Sequence, residues 1–298
     1  MSMLTVTCFG EVLWDVFPSY RRIGGAPLNV AMRLHRLGAQ VNMVSRLGKD
    51  KEGDAIIEFM RDQGLSTEFI QRDDKLGTGS VDVHLDRDRT ATYTINKPVA
   101  WDRIVSSQSV LDAVRGSDAL IFGSLVCRSE KSEQTLKALI EVAKYKIFDL
   151  NLRPPHYDLD QITDLMQQTD LIKMNDEELF EVCSNLGLAG NTIQERISGL
   201  SDFVKRDVSI CVTKGAAGAE LLHKDEFYQN SGYKVSVADT VGAGDSFLAT
   251  LSFHLLTGMH PQMSLDRACA MGSLVASKEG ANPEVEEYEI SNMLHPEK

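Results

Sequence analysis

Apolar residues along this chain fall into two patterns that alternate with each other. Short apolar runs, of the kind that form buried parallel strands, recur at 4–9, 41–45, 119–122, 146–150, 171–174 and 208–212. Segments with apolar residues three and four positions apart, typical of helices with one buried face, lie at 26–37, 55–60, 130–144, 176–186 and 192–205, and another begins near 243. This alternation predicts a doubly wound, mostly parallel α/β sheet, whose ligands bind beyond the carboxyl ends of the strands.

One region between residues 80 and 95 breaks this rhythm. Residues 80–85 and 90–95 alternate polar and apolar positions on either side of four charged residues at 86–89. A period of two on both sides of a short polar segment predicts a β-hairpin. We expect its turn, 86–89, to be a solvated loop.

Composition limits the classes of partner. At 298 residues, with 43% apolar and 25% charged residues, the chain is large enough for one sizeable α/β domain. Its formal net charge of −12 argues against nucleic acid or an anionic membrane as a partner. The five cysteines are scattered and lack CxxC spacing, which indicates reduced thiols rather than disulfides or zinc ligands. No leader-like or membrane-length apolar segment is evident, so we expect a cytoplasmic protein.

Residues 239–247 combine a glycine-rich turn with the start of a helix and one acid. Glycines there let the backbone approach a ligand, and the first N–H groups of a helix lie at the positive end of its dipole. The turn therefore predicts an anion site. Asp245 would repel an anion, a cost that is explained if its carboxylate accepts a proton from a hydroxyl attacking phosphorus. The alternative is a capped helix in a glycine-rich turn.

A second glycine-rich segment precedes the first predicted helix. Gly24 and Gly25 allow close backbone approach, and Pro27 suits a first helical turn. Asn29 lies in that turn and offers both a donor and an acceptor to a polyol. Neither a Walker-type phosphate loop nor a GxGxxG after a strand is present to suggest another nucleotide fold.

Together, residues 25–48 and 239–249 resemble the paired signatures of the ribokinase-like (PfkB) sugar kinases. Thr250 departs from the small residue usual in that family and is expected to affect helix packing only. The resemblance implies a ribokinase-like α/β fold in one domain, residues 1–298, with a small β lid built from about 12–23 and 79–100. It also implies transfer of the γ-phosphoryl group of ATP to a primary hydroxyl of a sugar, with a homodimer through the lid as a possibility known in the family.

The resemblance implies a role for each matching residue. The turn at Gly242, Ala243 and Gly244 would hold the phosphoryl group, and Asp245 would be the general base. The nucleotide would contact Asn175, Thr213, Lys214, Gly215, Gly244 and Asn282. Asn175 and Glu178 match an NxxE motif that organises Mg²⁺ through water, although an ordinary helix cap explains the same pair equally well. In some members, segments that correspond to Asp239, Val241 and the 278–281 turn offer main-chain carbonyl oxygens to a monovalent cation such as K⁺.

The residues expected to bind the sugar, called the sugar end below, indicate a subfamily. The 14–15 ending, the 123–125 run and the 149–153 segment jointly resemble fructokinases. These segments and the first glycine-rich segment supply the expected substrate-binding residues, which are Asp15, Gly24, Gly25, Asn29, Ser124 and Arg153. Arg153 has an alternative role as the partner of a nearby acid. The predicted reaction is phosphorylation of D-fructose to fructose 6-phosphate, with 2-keto-3-deoxygluconate kinase or ribokinase as alternatives. A non-catalytic sugar or nucleotide sensor on the same fold is the alternative of a different class, and the intact Asp245 argues against it.

Overall fold

The computed structural model describes residues 3–85, 91–204 and 207–295. The 86–89 turn predicted from the sequence lies outside these residues. In chain order the strands are β1 (Thr5–Phe9), β2 (Leu13–Val16), β3 (Arg21–Gly24), β4 (Gln40–Gly48), β5 (Ile70–Asp73), β6 (Gly79–Leu85), β7 (Ala91–Ile95), β8 (Ala119–Gly123), β9 (Lys146–Asp149), β10 (Leu171–Asn175), β11 (Ser209–Thr213), β12 (Ala219–His223) and β13 (Glu226–Asn230). The helices are α1 (Ala26–Arg36), α2 (Lys51–Asp62), α3 (Gln108–Gly116), α4 (Glu130–Val142), α5 (Leu159–Met166), α6 (Asp176–Asn185), α7 (Ile193–Val204), α8 (Ala243–Leu256), α9 (Pro261–Ala276) and α10 (Glu287–Leu294).

Nine of the described strands form the central sheet, in the order β13-β12-β11-β10-β9-β8-β1-β4-β5. The strands from β11 across to β5 pair in parallel, and β12 and β13 add an antiparallel edge. The predicted mostly parallel α/β sheet is confirmed. Because β1 pairs with β4 on one side and with β8 on the other, the chain reverses direction across the sheet there. Such a switch point opens a crevice at the carboxyl ends of the strands.

Apolar side chains cover both faces of the central sheet, which is why its strands read as continuous apolar runs. One core contains Phe122 and Phe148, whose rings stack with centroids 5.1 Å apart. The other core includes Val6 and Cys8 of β1 together with Leu248 of α8. All five cysteines are buried and free. No helix among the described residues is long and apolar enough to cross a membrane.

A smaller sheet stands apart from the central one, with four described strands in the order β3-β2-β6-β7. The predicted hairpin is present as the antiparallel pair β6–β7. The pair β2–β3 is also antiparallel, and β2 joins the two hairpins by pairing in parallel with β6. This arrangement carries Asp15 and Gly24 on neighbouring strands, next to the start of α1.

Several elements were not predicted from the sequence. They are β5, α3, α5, the antiparallel pair β12–β13, and the C-terminal helices α9 and α10. The edge strand β13 is mostly exposed and so has no apolar run to mark it. Helix α9 is apolar on several sides, which removes the one-faced periodicity that reveals a surface helix.

A buried ion pair joins the 3₁₀ turn Ala100–Arg103 to the 3₁₀ turn Leu125–Arg128. Arg128 Nε lies 2.7 Å from Asp102 Oδ1, and its Nη2 lies 3.0 Å from Asp102 Oδ2. The guanidinium also stacks over the Trp101 ring at 3.8 Å and donates to the Asn96 carbonyl. Only 2% of the Arg128 side chain is exposed, so its charge depends on Asp102.

We expect Asp102→Ala to lower the free energy of unfolding by about 3–5 kcal/mol, because it leaves the buried Arg128 charge without its partner. Urea denaturation of the two proteins measures this difference. Asp112→Ala is the matched control, since its ion pair with Arg115 is more than half exposed, and it should change stability by less than about 0.5 kcal/mol. Equal effects of the two substitutions would show that the buried pair is not a structural anchor.

Candidate active site

Most of the residues predicted to bind ligands lie at the carboxyl edge of the central sheet. Strands β8, β9, β10 and β11 end there, next to the amino ends of α1 and α8. A narrow crevice at the switch point is lined by residues from α1, β8, the end of β9 and α8, among them Ala26, Val30, Gly123, Asp149, Asn151 and Leu248. The two helices that follow the glycine-rich segments, α1 and α8, therefore both contribute to one crevice.

Gly242 shapes the turn before α8. Its φ of 76° is in the left-handed region, and a Cβ there would overlap with the carbonyl oxygen of Ala281. Only glycine permits this contact between the two loops. The helix starts at Ala243, so the N–H groups of Gly244 and Asp245 have no carbonyl one turn earlier to bond. Ala243 differs from its predicted role, because its N–H already donates to Thr240 at 3.3 Å.

A chain of two amides orients Asp245. The Nδ2 group of Asn29 donates to Asp245 Oδ2 at 2.7 Å, and the Nδ2 group of Asn282 donates to Asn29 Oδ1 at 2.8 Å. Asn29 must turn its NH₂ group to the carboxylate, and Asn282 satisfies the oxygen that then points away. Arg33 and Arg36 of α1 hold the neighbouring loop by donating to the carbonyls of residues 282 and 283.

The environment of Asp245 suits a proton acceptor. Burial raises its pKa to about 6, and the negative charge of Asp149 acts in the same direction. The Asn29 hydrogen bond and the positive charges of Lys173 and Arg153 lower it in part. A carboxyl with a pKa near 6 is ionised at neutral pH, yet accepts a proton more readily than an ordinary aspartate.

A buried lysine beneath the turn was not predicted from the sequence. Lys173 is the third residue of β10, its Nζ lies 3.0 Å from Asp149 Oδ1, and both side chains are less than a tenth exposed. A Cβ built on Gly244 would be only 3.4 Å from Lys173 Nζ, so the ammonium lies directly under the phosphate turn. The available signal was a charged residue inside an otherwise apolar strand.

Lys173 keeps its charge in this position. Burial alone would lower its pKa, but the nearby charges of Asp149 and Glu178, together with the bond to Asp149, raise it above the ordinary value. The protein thus holds a permanent positive charge below the N–H groups of α8. The chain has a net charge of −12, yet the Lys173 ammonium supplies a positive charge at the turn predicted to bind an anion.

The sugar end brings together Asp15, Gly24 and Arg153. A Cβ at Gly24 would overlap with Asp15 Oδ2, so the carboxylate packs directly on the glycine. Burial raises the pKa of Asp15 to about 6, and the charges of Arg153 and Arg22 oppose that shift. Arg153 is exposed, and its Nη1 donates to the carbonyl of Leu152. No carboxylate among the described residues pairs with it within salt-bridge distance, unlike the alternative considered from the sequence.

Unsatisfied buried oxygens surround the same crevice. Glu11, at the end of β1, is a residue that the sequence reasoning did not single out; burial raises its pKa to about 7. Buried oxygens that find no hydrogen-bond partner within the described residues include Glu11 Oε2, Ser124 Oγ, Asp149 Oδ2 and Asn282 Oδ1. Buried polar atoms are normally paired, so several orphans near one crevice indicate a site that a polar ligand completes.

The residues expected to contact the nucleotide lie along the next part of the sheet edge. Thr213 ends β11, and its Oγ1 donates to the Met174 carbonyl at 3.4 Å. Lys214 Nζ lies 2.8 Å from Glu220 Oε1, so its charge is already paired. Gly215 has a φ of 54° and begins a 3₁₀ turn. The Lys214 N–H donates to the Gly218 carbonyl, and the Gly215 carbonyl accepts the Gly218 N–H, so the Lys214 charge and much of the loop backbone are already engaged.

Asn175 and Glu178 form a capping box at the start of α6. Asn175 Oδ1 accepts from the Glu178 N–H, and Glu178 Oε2 accepts from the Asn175 N–H, each at 2.8 Å. Glu178 Oε1 also accepts from the Leu152 N–H at 2.7 Å, which ties the end of β9 to this helix. The helix-cap alternative is thus present in the structure, and any role in organising metal-bound water would be additional to it.

No group of three or more His, Cys, Asp or Glu side chains within the described residues is placed to hold a metal ion alone. Mg²⁺ commonly keeps several waters and binds nucleotide phosphates with one or two carboxylates. Two neighbouring carboxylates, those of Asp149 and Glu178, fit that mode of binding. The Oδ2 atom of Asp149 is buried and accepts no hydrogen bond from the described residues.

Asp239, by contrast, is fully engaged with protein donors. Its Oδ1 accepts from the Val241 N–H at 3.1 Å, and its Oδ2 accepts from the Gly280 N–H at 3.2 Å. Arg22 of β3 adds an ion pair at 2.8 Å to Oδ2. The carboxylate is therefore engaged by the protein, whereas the main-chain carbonyl oxygens that the resemblance assigns to a monovalent cation take no part in these contacts.

Comparison with known proteins agrees with this geometry. A model of the pfkB family carbohydrate kinases matches residues 9–287. The chain belongs to this family. It is therefore a carbohydrate kinase, a phosphotransferase with an alcohol acceptor, as the resemblance implied.

Relatives within the pfkB family cover almost the whole chain. A fructokinase from Vibrio alginolyticus is 28% identical over 302 residues, 94% of this chain and 95% of its own length. A double mutant of the Vibrio cholerae O395 fructokinase, solved with fructose, ADP and potassium ion, has a TM-score of 0.83 and 24% identity over 99% of both chains. The 2-dehydro-3-deoxygluconokinase of Thermotoga maritima has a TM-score of 0.84 and 19% identity, covering 98% of this chain and 99% of its own. Fold similarity to these two structures thus does not distinguish their substrates.

We expect kcat/KM for the sugar to fall about tenfold per pH unit below pH 6, since the raised pKa of Asp245 means that its proton-accepting form is lost as the pH falls through about 6. Asp245→Asn should lower kcat by about 10²-fold or more, because it removes the proton acceptor and keeps the turn. A pH–rate profile with saturating nucleotide measures both effects.

Asp15→Asn is the control for this profile, because Asp15 has a similar pKa. This substitution should raise the KM for the sugar, and the fall of kcat/KM below pH 6 (the acidic limb of the profile) should remain. Loss of the limb in Asp15→Asn, or near-normal turnover by folded Asp245→Asn, would contradict the assignment of Asp245.

Proposed function

We propose that this protein is an ATP-dependent, Mg²⁺-requiring kinase that phosphorylates the primary 6-hydroxyl of D-fructose to give fructose 6-phosphate. The observation that supports this most strongly is the position of Asp245. Its carboxylate is held on one oxygen by Asn29 and stands beside the unpaired N–H groups at the start of α8. A sugar hydroxyl and a phosphoryl group can therefore meet at one acid.

In the proposed reaction the sugar oxygen attacks the γ-phosphorus of ATP, and Asp245 accepts the hydroxyl proton as the new P–O bond forms. The bond between the γ-phosphorus and the bridging oxygen breaks, and ADP leaves with that oxygen. Phosphoryl transfer requires mainly positioning and stabilisation of charge. The Asn29–Asn282 amides fix the Asp245 carboxylate in place, so no reorientation is needed at the moment of proton transfer.

Negative charge on the transferring group would be stabilised by the N–H of Gly244 and by Lys173 below it. Bound Mg²⁺ would supply further charge neutralisation at the nucleotide phosphates. Asp149 and Glu178 are the carboxylates that would hold it, directly or through water. Lys173 has a second effect, because it offsets the repulsion between Asp149 and an incoming phosphate.

For the nucleotide, we propose contacts with the 213–215 loop and with Asn175. Glu220 neutralises Lys214, so recognition there would rest on the Thr213 side chain and the Gly215 N–H rather than on the Lys214 charge. The Asn282 amide, which bonds Asn29, leaves its Oδ1 unpaired for a ligand donor.

The charges at the sugar end favour a neutral substrate. Glu11, Asp15 and Asp245 are three buried or partly buried acids, and each has a raised pKa chiefly because of burial. A substrate carboxylate would add another negative charge to this group. Arg153 is the guanidinium that opposes it, because Arg128 is committed to Asp102. A ketohexose with several hydroxyls fits better than 2-keto-3-deoxygluconate, which carries a carboxylate.

We expect D-fructose to give the highest kcat/KM among fructose, 2-keto-3-deoxygluconate, ribose and adenosine in an assay coupled to ADP release. Asp15→Ala should raise the fructose KM by about 10- to 100-fold, the effect of losing a hydrogen bond to a charged group. The KM for ATP should change less than about twofold, since Asp15 acts only on the sugar.

Arg153→Ala provides the internal comparison. With a neutral sugar, Arg153→Ala should lower kcat/KM less than Asp15→Ala does. With a carboxylate-bearing substrate, Arg153→Ala should lower kcat/KM more than Asp15→Ala does. If 2-keto-3-deoxygluconate has the higher kcat/KM and Arg153→Ala abolishes that advantage, the fructose assignment is wrong and the kinase assignment stands.

A further inference from the structure

An arginine from the small sheet is bound to the segment that precedes the phosphate turn. Arg22 of β3 donates from Nη1 to Asp239 Oδ2 at 2.8 Å, although the two residues are 217 positions apart in the chain. The guanidinium also lies over the Tyr20 ring, 5.0 Å from its centroid. Arg22 therefore has a defined position, held from both sides, and its contact joins the small sheet to the segment before α8.

Asp239 is the centre of a second junction, between two loops. Its carboxylate accepts the N–H of Val241 on one oxygen and the N–H of Gly280 on the other. The N–H groups of Ala238 and Asp239 in turn donate to the Ala276 carbonyl. The segment before the phosphate turn and the turn after α9 are thus fastened together at this acid. Gly242 packs against the same second loop, through Ala281.

A positive charge at this junction offsets the Asp239 carboxylate, which lies beside the turn expected to bind an anion. In some members of the family, the corresponding segments offer main-chain carbonyl oxygens to a monovalent cation, which brings a positive charge to the same place. In this chain, each Asp239 oxygen already accepts a protein N–H, and a guanidinium stands on Oδ2. A cation held by the main chain of this segment would be repelled by the charge of Arg22, which is bonded to the same residue and which arginine does not lose at any ordinary pH.

We propose that Arg22 takes the place of the monovalent cation, so that this kinase works without K⁺ and its phosphate turn is instead fastened to the small sheet. The guanidinium supplies the charge from within the chain and adds a link that a free ion cannot make. The position of β3 and the geometry of the phosphate turn then depend on each other. This inference rests on the proposed kinase activity only for its turnover measurement.

The test compares the wild type, Arg22→Ala and Arg21→Ala in tetramethylammonium salts, with and without KCl at constant ionic strength. Arg21 is the matched control, since it lies on the same strand but pairs with Glu52. We expect wild type and Arg21→Ala to change less than about twofold on addition of K⁺. Arg22→Ala should lose turnover without K⁺ and regain about fivefold or more with it, the lower end of typical coupling between two sites.

Thermal unfolding gives a second measurement that needs no substrate. K⁺ should raise the Tm of Arg22→Ala and leave the Tm of the wild type and of Arg21→Ala unchanged. Activation of the wild type by K⁺, full turnover of Arg22→Ala without K⁺, or the absence of any K⁺ effect on folded Arg22→Ala would each overturn the proposal. If no sugar is phosphorylated by the wild type, the proposed function fails, and the Tm comparison still decides whether Arg22 occupies the cation's place.

Discussion

The buried pair of Lys173 and Asp149 is the interaction on which the site depends most. The two side chains come from neighbouring parallel strands and meet at the carboxyl edge of the sheet, below the turn that begins α8. Separating them would leave an unpaired charge in the interior, which is strongly unfavourable. Together they let a chain of net charge −12 present an ammonium under an anion-binding turn. The parallel strand order brings them together, because β9 and β10 end side by side.

A second constraint is the orientation of the Asp245 carboxylate. Its position follows from three segments that are distant in sequence: the start of α8, the start of α1 and the loop after α9. Gly242 allows the first and third segments to touch, and the amides of Asn29 and Asn282 connect all three to the carboxylate. Burial raises the pKa of the acid, and its neighbours keep it ionised at neutral pH. The packing of the three segments and the proposed proton transfer therefore both depend on Asp245.

The sequence predicted the parts of this architecture that have a local signature. Apolar runs and helical spacing indicated the parallel strands and most helices, and the glycine-rich turns indicated where ligands approach the backbone. Lys173, Glu11 and the Arg22–Asp239 pair were not predicted, because each depends on which strands and loops become neighbours. The edge strand β13 and helix α9 lack the one-sided apolar pattern for opposite reasons, exposure in the first and burial in the second. The roles assigned to the individual site residues remain predictions.

The most direct test of this account is the rate of phosphoryl transfer in a single turnover, measured by rapid quench for Lys173→Met. We expect a fall of about 10²-fold, since a charge at the transferring group is removed, with ATP affinity within about threefold of the wild type. The double variant Asp149→Asn, Lys173→Met removes both buried charges and so separates the effect of an unpaired Asp149 charge from the loss of the ammonium. Lys146→Met is the control, because this lysine pairs with Asp170 on the same strands, at the opposite edge of the sheet. An unchanged single-turnover rate in folded Lys173→Met would contradict the central role of this charge.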